Sequence, residues 1–378
     1  MATVERRPNV AGLVVGLAVV LAGGVAWAAA RTSNHGAPLS ASVASSPPVA
    51  PSSIAVASST TTTRATPLTS PPTVVEQVGL VGRLATPSGV LLFAHTASPN
   101  AVVRIDVDEG RVVVNAVGPV MSTAPAFLAV GPSTAIVRPY DYVPGYVVGD
   151  NGVVTNPSGL LGDGTFMICS DGRSDRLWTA GDTLVQVDFN GSPTATIGGA
   201  QRPWAIGCDG AGEMLYRQGD TTLVTGDGGP SVVTSNSLIA AGPRTFLVRD
   251  CAVATACPLT VVDRATGERR SLTVNVSIAT PQALPVQAEG RIGSISPDGR
   301  TAVLSRAVRE AVLVDLVSGV AHATTTFGGD FQSFVWSADS RYLFYIGASH
   351  NLSVFDRQTD EIEALGMANI LALASRPS

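Results

Sequence analysis

The stretch ISPDGRTAVLS, residues 295–305, places a Pro-Asp-Gly turn between two short apolar runs, and VLVDLVSG follows at 312–319. Asp and Gly favour a tight turn, because Asp accepts hydrogen bonds from the backbone two residues on and Gly tolerates positive φ. The pattern therefore predicts two adjacent β-strands joined by a hairpin. It leaves open whether Asp298 is a reactive carboxylate or only the corner of that hairpin.

The same corner recurs along most of the chain. Comparable turns follow short apolar runs in ATPSG (85–89), VGPST (130–134), CSDGR (169–173), CDGAG (208–212), AGPRT (241–245), SPDGR (296–300) and SADSR (337–341). Each turn is followed by an apolar run that ends in an aspartate, and these residues are Asp106, Asp150, Asp188, Asp227, Asp263, Asp315 and Asp356. They lie 36 to 52 residues apart, which is typical of the four-stranded blades of a propeller. A residue that recurs in every unit is expected to serve the turn, so we interpret these aspartates as structural.

The last two units resemble the bacterial WD40-like β-propellers, through SPDGRTAVLS with VLVDLVSG and WSADSRYLFY with LSVFDRQTDEIEAL. The resemblance bears on fold rather than function. It implies an all-β, seven-bladed β-propeller of four-stranded antiparallel blades over residues 73–378. The flanking stretches TVVEQVGL (73–80) and ILALASRP (370–377) are both expected to close the ring. An eighth blade would require these two stretches to form a blade of their own.

The N-terminal region predicts an address outside the cytoplasm. Residues 10–30 carry no charge and follow a short segment, 1–9, that contains Arg6 and Arg7. This pattern predicts a cytoplasmic N-terminus and a single transmembrane anchor, with the propeller on the extracytoplasmic side of the cell membrane. The alternative is a cleaved signal segment and a secreted protein, since the run 26–30 offers small-residue cleavage sites. Residues 31–72 contain 24 Ser, Thr or Pro among 42 and predict a disordered linker.

Composition excludes several functions. All 24 basic residues are Arg, so Walker-type phosphate loops and Schiff-base lysines are absent. Residues 73–378 contain 20 Arg against 28 Asp plus Glu, and nucleic acid is therefore not an expected partner. No nucleotide-binding or metalloprotease motif is present, so we predict no cofactor, no metal and no catalytic residue.

Four cysteines in a chain predicted to be exported indicate disulfides. Cys251 and Cys257 bracket a short loop and are paired first, which leaves Cys169 and Cys208 as the second pair. A zinc site is disfavoured because no C-x-x-C spacing or neighbouring histidine supports it. The spacing of Asp106, Asp108 and Glu109 is compatible with calcium, but a hairpin turn explains these residues better.

A binding site is expected where the repeat is broken, and three segments break it. In RPYDYVPGY we predict a binding site formed by Arg138, Tyr140, Asp141, Tyr142 and Tyr146, because aromatic residues and Arg are favoured in binding patches. The second segment is the loop 251–257 with the adjacent Arg249 and Asp250. The third is the insertion at 279–290.

These observations favour a non-catalytic binding or scaffold module, tethered to the membrane, for an envelope protein, a glycan or a small ligand. The alternative is a hydrolase-like propeller, for example a lactonase-like enzyme, with carboxylates and Arg near the central channel. A sensor subunit is a third hypothesis, although the short segment before the apolar run offers little to carry a signal.

Overall fold

The computed structural model describes residues 73–74, 84–117, 126–139, 145–155, 167–180, 183–197, 203–226, 228–249, 258–275, 278, 292–307, 309–328 and 333–378. The N-terminal segment predicted at 1–9, the anchor or signal predicted at 10–30 and the linker predicted at 31–72 lie outside these residues. In the described part, no helix is long and apolar enough to cross a bilayer.

The described strands follow the sequence repeats, which we call units 1 to 7 in chain order. Unit 1 comprises β1 (Thr73–Val74), β2 (Val90–Ala97), β3 (Asn100–Asp106) and β4 (Arg111–Ala116), and it is joined by β29 (Ile370–Pro377). The strand order is β1-β4-β3-β2-β29. Both β1 and the C-terminal strand thus join unit 1, as expected for ring closure, and they do not form an eighth blade of their own.

Units 2, 3, 4 and 7 each form a separate four-stranded antiparallel sheet. The strands of unit 2 are β5 (Ala126–Val130), β6 (Thr134–Pro139), β7 (Tyr146–Gly149) and β8 (Val154–Thr155). Those of unit 3 are β9 (Met167–Ser170), β10 (Arg176–Ala180), β11 (Leu184–Asp188) and β12 (Pro193–Ile197). Those of unit 4 are β13 (Trp204–Cys208), β14 (Met214–Gln218), β15 (Thr221–Val224) and β16 (Ser231–Thr234).

Units 5 and 6 share one eight-stranded sheet. Unit 5 contains β17 (Ser237–Ala241), β18 (Thr245–Arg249), β19 (Leu259–Asp263) and β20 (Arg269–Leu272). Unit 6 contains β21 (Gly293–Ile295), β22 (Thr301–Ala307), β23 (Glu310–Asp315) and β24 (Ala321–Thr326). The two units are joined by a parallel pairing of β17 with β21. Unit 7 contains β25 (Val335–Trp336), β26 (Tyr342–Ile346), β27 (Leu352–Asp356) and β28 (Glu361–Ala364).

The architecture is an all-β propeller of four-stranded antiparallel units, and in this respect the prediction is confirmed. The prediction of seven separate blades is not met by the sheet pattern of the described residues. Five sheets stand alone, four with four strands and one with five, and the remaining eight strands form a single sheet. The difference arises where the first strands of units 5 and 6 approach closely enough to pair.

Burial explains the apolar content of the middle strands. All five residues of β26 are buried, and in β22 the run Thr301–Ser305 is buried as well, because both faces of these strands pack against neighbouring units. Val303 and Leu343, for example, belong to one core cluster between units 6 and 7. In units 2 to 7 the fourth strands lie at the outer edge, and every residue of β28 is exposed.

The antiparallel order gives the propeller two distinct faces. In units 2 to 7, turns between the first and second strands and between the third and fourth strands lie at one end of the unit, which we call the corner face. In unit 1 the turn between β3 and β4 lies at this end. Connections between the second and third strands, and from one unit to the next, lie at the opposite end, which we call the loop face. The repeated aspartates at 298 and 315 lie on the corner face, on either side of β22 and β23.

Candidate functional site

The recurring aspartates that end the third strands stabilise the turns that follow them. Asp315 Oδ1 accepts hydrogen bonds from the backbone amides of Val317 (2.9 Å) and Ser318 (2.6 Å). Partial burial raises the pKa of the Asp315 carboxyl, but these hydrogen bonds outweigh burial and hold the pKa below its ordinary value. Asp188, Asp263 and Asp356 accept amide hydrogen bonds in the same way.

Asp298 is the corner of a hairpin and also a link between units. Its Oδ1 accepts hydrogen bonds from Ser296 Oγ at 2.6 Å and from the Arg300 amide at 3.0 Å. Its Oδ2 accepts one from Arg357 Nη1 of unit 7 at 2.7 Å. Burial raises the pKa of Asp298, but the bonds from Ser296 and Arg357 outweigh it, so the pKa lies below the ordinary value. With both oxygens bonded, Asp298 is an anchored carboxylate rather than a free reactive group.

Asp209 makes the equivalent link between units 4 and 5. Its side chain is fully buried and forms an ion pair with Arg264, which follows β19 as Arg357 follows β27. Its Oδ1 accepts amide hydrogen bonds from Ala211 (2.7 Å) and Glu213 (3.1 Å). Burial raises the pKa of Asp209, while Arg264 and the two amides oppose that rise. The Arg264 guanidinium also lies 5.0 Å from the ring centroid of Phe246.

The residues with calcium-like spacing likewise serve turns. Asp106 Oδ1 accepts a hydrogen bond from the Glu109 amide at 2.9 Å, and Asp108 Oδ1 accepts one from the Ser88 amide at 2.7 Å. Within the described residues no group of three His, Cys, Asp or Glu side chains could hold a metal ion. Asp106 thus stabilises its own turn, and Asp108 joins that turn to the corner at 85–89.

The structure separates the two described residues of the predicted site in RPYDYVPGY. Tyr146 packs in the core between units 1 and 2. Arg138 pairs in register with Phe127, whose side chain packs against unit 3. Because register partners share one face of a sheet, Arg138 also faces unit 3, on the side opposite Tyr146. Both are buried, with 2% of Arg138 and 6% of Tyr146 exposed. Tyr140, Asp141 and Tyr142 lie outside the described residues.

The ends of all three repeat-breaking segments lie on the loop face. Residues 138 and 146 end the connection from β6 to β7, and Arg249 ends β18 just before Asp250 and the loop 251–257. The segment 279–290 lies between β20 and β21. Asp250, the cysteines at 251 and 257, and the insertion lie outside the described residues, so the predicted Cys251–Cys257 pair remains a prediction.

Cys169 and Cys208 form a disulfide, with a Cα–Cα distance of 5.5 Å. Cys169 lies on β9 and Cys208 on β13, so the bond joins the first strands of units 3 and 4. It closes a sequence separation of 39 residues, one repeat length.

Basic side chains occupy one position in four units, near the loop-face end of the second strand. The residues are His95, Arg138, Arg217 and Arg249. The three arginines pair in register with the first strand of their own unit, and His95 pairs with Ala372 of β29. Two residues earlier on each strand, Phe93, Ile136, Leu215 and Leu247 pack against the next unit. Because alternate residues of a strand share a face, the four basic side chains also face the next unit.

Three residues near the loop-face end of a second strand were not among the site residues predicted from the sequence. They are His95, Arg217 and Trp204. Trp204, on the first strand of unit 4, is the register partner of Arg217 and is 49% exposed. The three arginines share a sequence pattern, since each follows the apolar stretch of a second strand. The stretches are IVRP (136–139), LYRQ (215–218) and LVRD (247–250). Aligning the units on this feature would have grouped them.

The described histidines make separate local contacts. His95 Nε2 is 2.9 Å from Asn100 Oδ1, and burial lowers the pKa of His95 although the Asn100 contact opposes this. His322 lies 3.2 Å from an Asp360 oxygen, and His350 Nδ1 lies 3.1 Å from the Ile370 carbonyl. The three imidazole rings thus make contacts at three separate places in the propeller.

Comparisons with known proteins identify no family for this chain. No protein-family model and no curated protein matches the chain. A putative 6-phosphogluconolactonase from Bacteroides fragilis is 13% identical, with a TM-score of 0.47 over 78% of this chain and 99% of that one. The dihydro-heme d1 dehydrogenase NirN is 14% identical, with a TM-score of 0.43 over 78% of this chain and 77% of that one. Hydrazine synthase of Kuenenia stuttgartiensis is 13% identical, with a TM-score of 0.43 over 79% and 98%. Identities this low transfer no activity to the present chain.

Proposed function

We propose that this protein is a membrane-tethered, extracytoplasmic β-propeller that binds an envelope protein, a glycan or a small ligand at its loop face and carries out no catalysis. The observation that carries the proposal is that the residues of the two faces have different roles. The repeated carboxylates of the corner face are bonded within turns or between units, as in Asp298 and Asp209. The segments that break the repeat begin and end on the loop face.

The rigid links of the corner face support a binding role for the opposite face. Ion pairs and a disulfide between neighbouring units hold the strand ends in place, and loops carried on a rigid scaffold are common sites of recognition. A ligand could therefore be bound by loops from several units without rearrangement of the sheets.

The proposal includes seven blades, one for each unit. Units 5 and 6 would be two blades whose first strands touch, since their parallel pairing spans only Ala240 with Gly293 and Ala241 with Ser294. Within unit 6, by contrast, β22 and β23 pair from Thr301 to Ala307. An experimental map with another number of blades would contradict this count.

The test of function is capture of a partner from solubilised membranes by the full-length chain. A Tyr140→Ala/Tyr142→Ala variant changes the sequence between β6 and β7, while Arg173→Ala/Asp175→Ala changes two exposed residues of the corner face as a matched control. We expect a specific protein or glycan to be retained by the wild type and the control and lost by the tyrosine variant. Failure of the wild type to retain any partner, together with no binding on a glycan array, would contradict the proposal. Turnover of a lactone panel would instead favour the hydrolase alternative.

The proposed location is tested separately. Fractionation should place the chain with membranes, and its intact mass should include the N-terminal segment. Loss of about 30 N-terminal residues would instead indicate signal cleavage and secretion.

A further inference from the structure

We infer that the loop face contains an oxyanion site at the junction of units 4 and 5, formed by Arg217 beside Trp204, which binds a carboxylate or phosphate group of a small ligand. The inference rests on the proposed binding function and adds the chemical class of the ligand.

Arg217 is positioned for this role by strand register. It pairs with Trp204 on one side and with Thr222 on the other, so the three side chains share one face of the sheet. That face is turned toward unit 5, because Leu215, two residues earlier, packs with Phe246 and Val248.

Arg217 has unused hydrogen-bonding capacity. Its Nε is buried and has no hydrogen-bond partner, and the same is true of Arg249 Nε at the equivalent position of unit 5. Neither side chain takes part in any ion pair among the described residues. A partly desolvated guanidinium without an anion is unfavourable, so an oxyanion bound at its accessible N–H groups would compensate its charge.

The remaining parts of the two arginines are accessible to a ligand. Arg217 and Arg249 are half-buried as residues, and a guanidinium binds carboxylates and phosphates through two parallel N–H groups. Trp204 adds a broad apolar surface next to Arg217, since 49% of it is exposed. An exposed indole beside a cation suits a ligand with an apolar or sugar-ring body and an anionic group.

Arginines recur near the loop-face end of the second strands, on the same face of the propeller as Asp220 of the β14–β15 turn and the Arg306–Glu310 ion pair. The described aspartates that pair with arginine, such as Asp209 and Asp298, lie on the corner face, at the far ends of the strands from Arg217. Arg138 occupies the equivalent position in unit 2, so cationic groups recur at this level of the loop face in a chain of net negative charge.

The test uses three sugars that differ in one group: glucuronate, glucose 6-phosphate and neutral glucose. Binding to the full-length chain is measured by calorimetry and by tryptophan fluorescence, with Trp204→Phe to assign the fluorescence change. We expect glucuronate, glucose 6-phosphate or both to bind, and neutral glucose to bind at least about tenfold more weakly. The preferred sugar distinguishes a carboxylate ligand from a phosphate ligand.

Variants then locate the site. Arg217→Gln should weaken binding of the anionic sugar about tenfold or more, Arg217→Lys should weaken it less, and Arg173→Gln on the corner face should leave it unchanged. Melting temperatures show that each variant is folded, and the lysine variant keeps the test valid if glutamine destabilises the chain. The inference is overturned if neither anion binds, if Arg217→Gln binds as tightly as the wild type, or if glucose binds equally well. In each of those cases, partner capture that depends on Tyr140 and Tyr142 would still uphold the proposed function.

Discussion

Arg357 donates a hydrogen bond from Nη1 to Asp298 Oδ2 across 2.7 Å, which ties the last turn of unit 7 to the first corner of unit 6. Arg264 and Asp209 repeat this relationship between units 5 and 4. In both cases the arginine directly follows the aspartate that ends a third strand, and the partner is the corner aspartate of the preceding unit. These pairs fasten neighbouring units along the corner face.

Replacing Arg357 by Gln should lower the free energy of unfolding by about 1 kcal/mol, because the ion pair with Asp298 is only partly shielded from water. Urea unfolding of the full-length chain measures the change. Arg300→Gln removes an exposed arginine from the same corner and serves as the control. Equal losses in the two variants would show that the inter-unit bond contributes nothing.

Replacing Arg264 by Met should cost more, about 3 kcal/mol, since it leaves the fully buried Asp209 carboxylate without its cation. Further substitution of Asp209 by Asn should recover part of that loss, because the uncompensated charge is then gone. A double-mutant cycle by urea unfolding measures the coupling. Strictly additive effects would contradict a direct pairing.

Stability should fall in acid. The pKa values of Asp298, Asp315 and Asp356 are lower in the folded chain than in the unfolded one, where a value of about 3.9 is expected. Their stabilising contribution is therefore present above about pH 4 and is lost as the pH falls through the lower, folded-state values. Thermal unfolding between about pH 2 and 6 should show this loss, and it should be smaller in Asp298→Asn. An unchanged pH profile in that variant would rule out a contribution from Asp298.

Breaking the Cys169–Cys208 disulfide should lower the free energy of unfolding by about 2–4 kcal/mol, since the bond closes a long loop between two first strands. The Cys169→Ser/Cys208→Ser variant is compared with the wild type under non-reducing conditions. Cys251→Ser/Cys257→Ser tests the second predicted pair independently. Four free thiols in wild-type protein isolated under non-reducing conditions would refute both pairs.

Much of the fold could be predicted because the information is local. The corner in SPDGR needs only Ser296, Asp298 and Arg300, which bond to one another within five residues. The number of separate sheets was not predictable, because the pairing of β17 with β21 depends on how closely two units approach in the ring. The binding site predicted in RPYDYVPGY stays a prediction. The sequence did not reveal the strand register, which places Arg138 and Tyr146 on opposite sides of unit 2.

The sequence by itself determined the repeat, the strand-and-corner pattern and the structural role of the recurring aspartates, because each depends on contacts between near neighbours in the chain. Only the tertiary structure decided that Arg357 reaches Asp298, 59 residues away, and that Arg138 and Tyr146 point to opposite sides of unit 2. It also placed Trp204 beside Arg217 on the loop face. These relationships depend on strand register and on packing between units, and neither is encoded in the spacing of a single repeat.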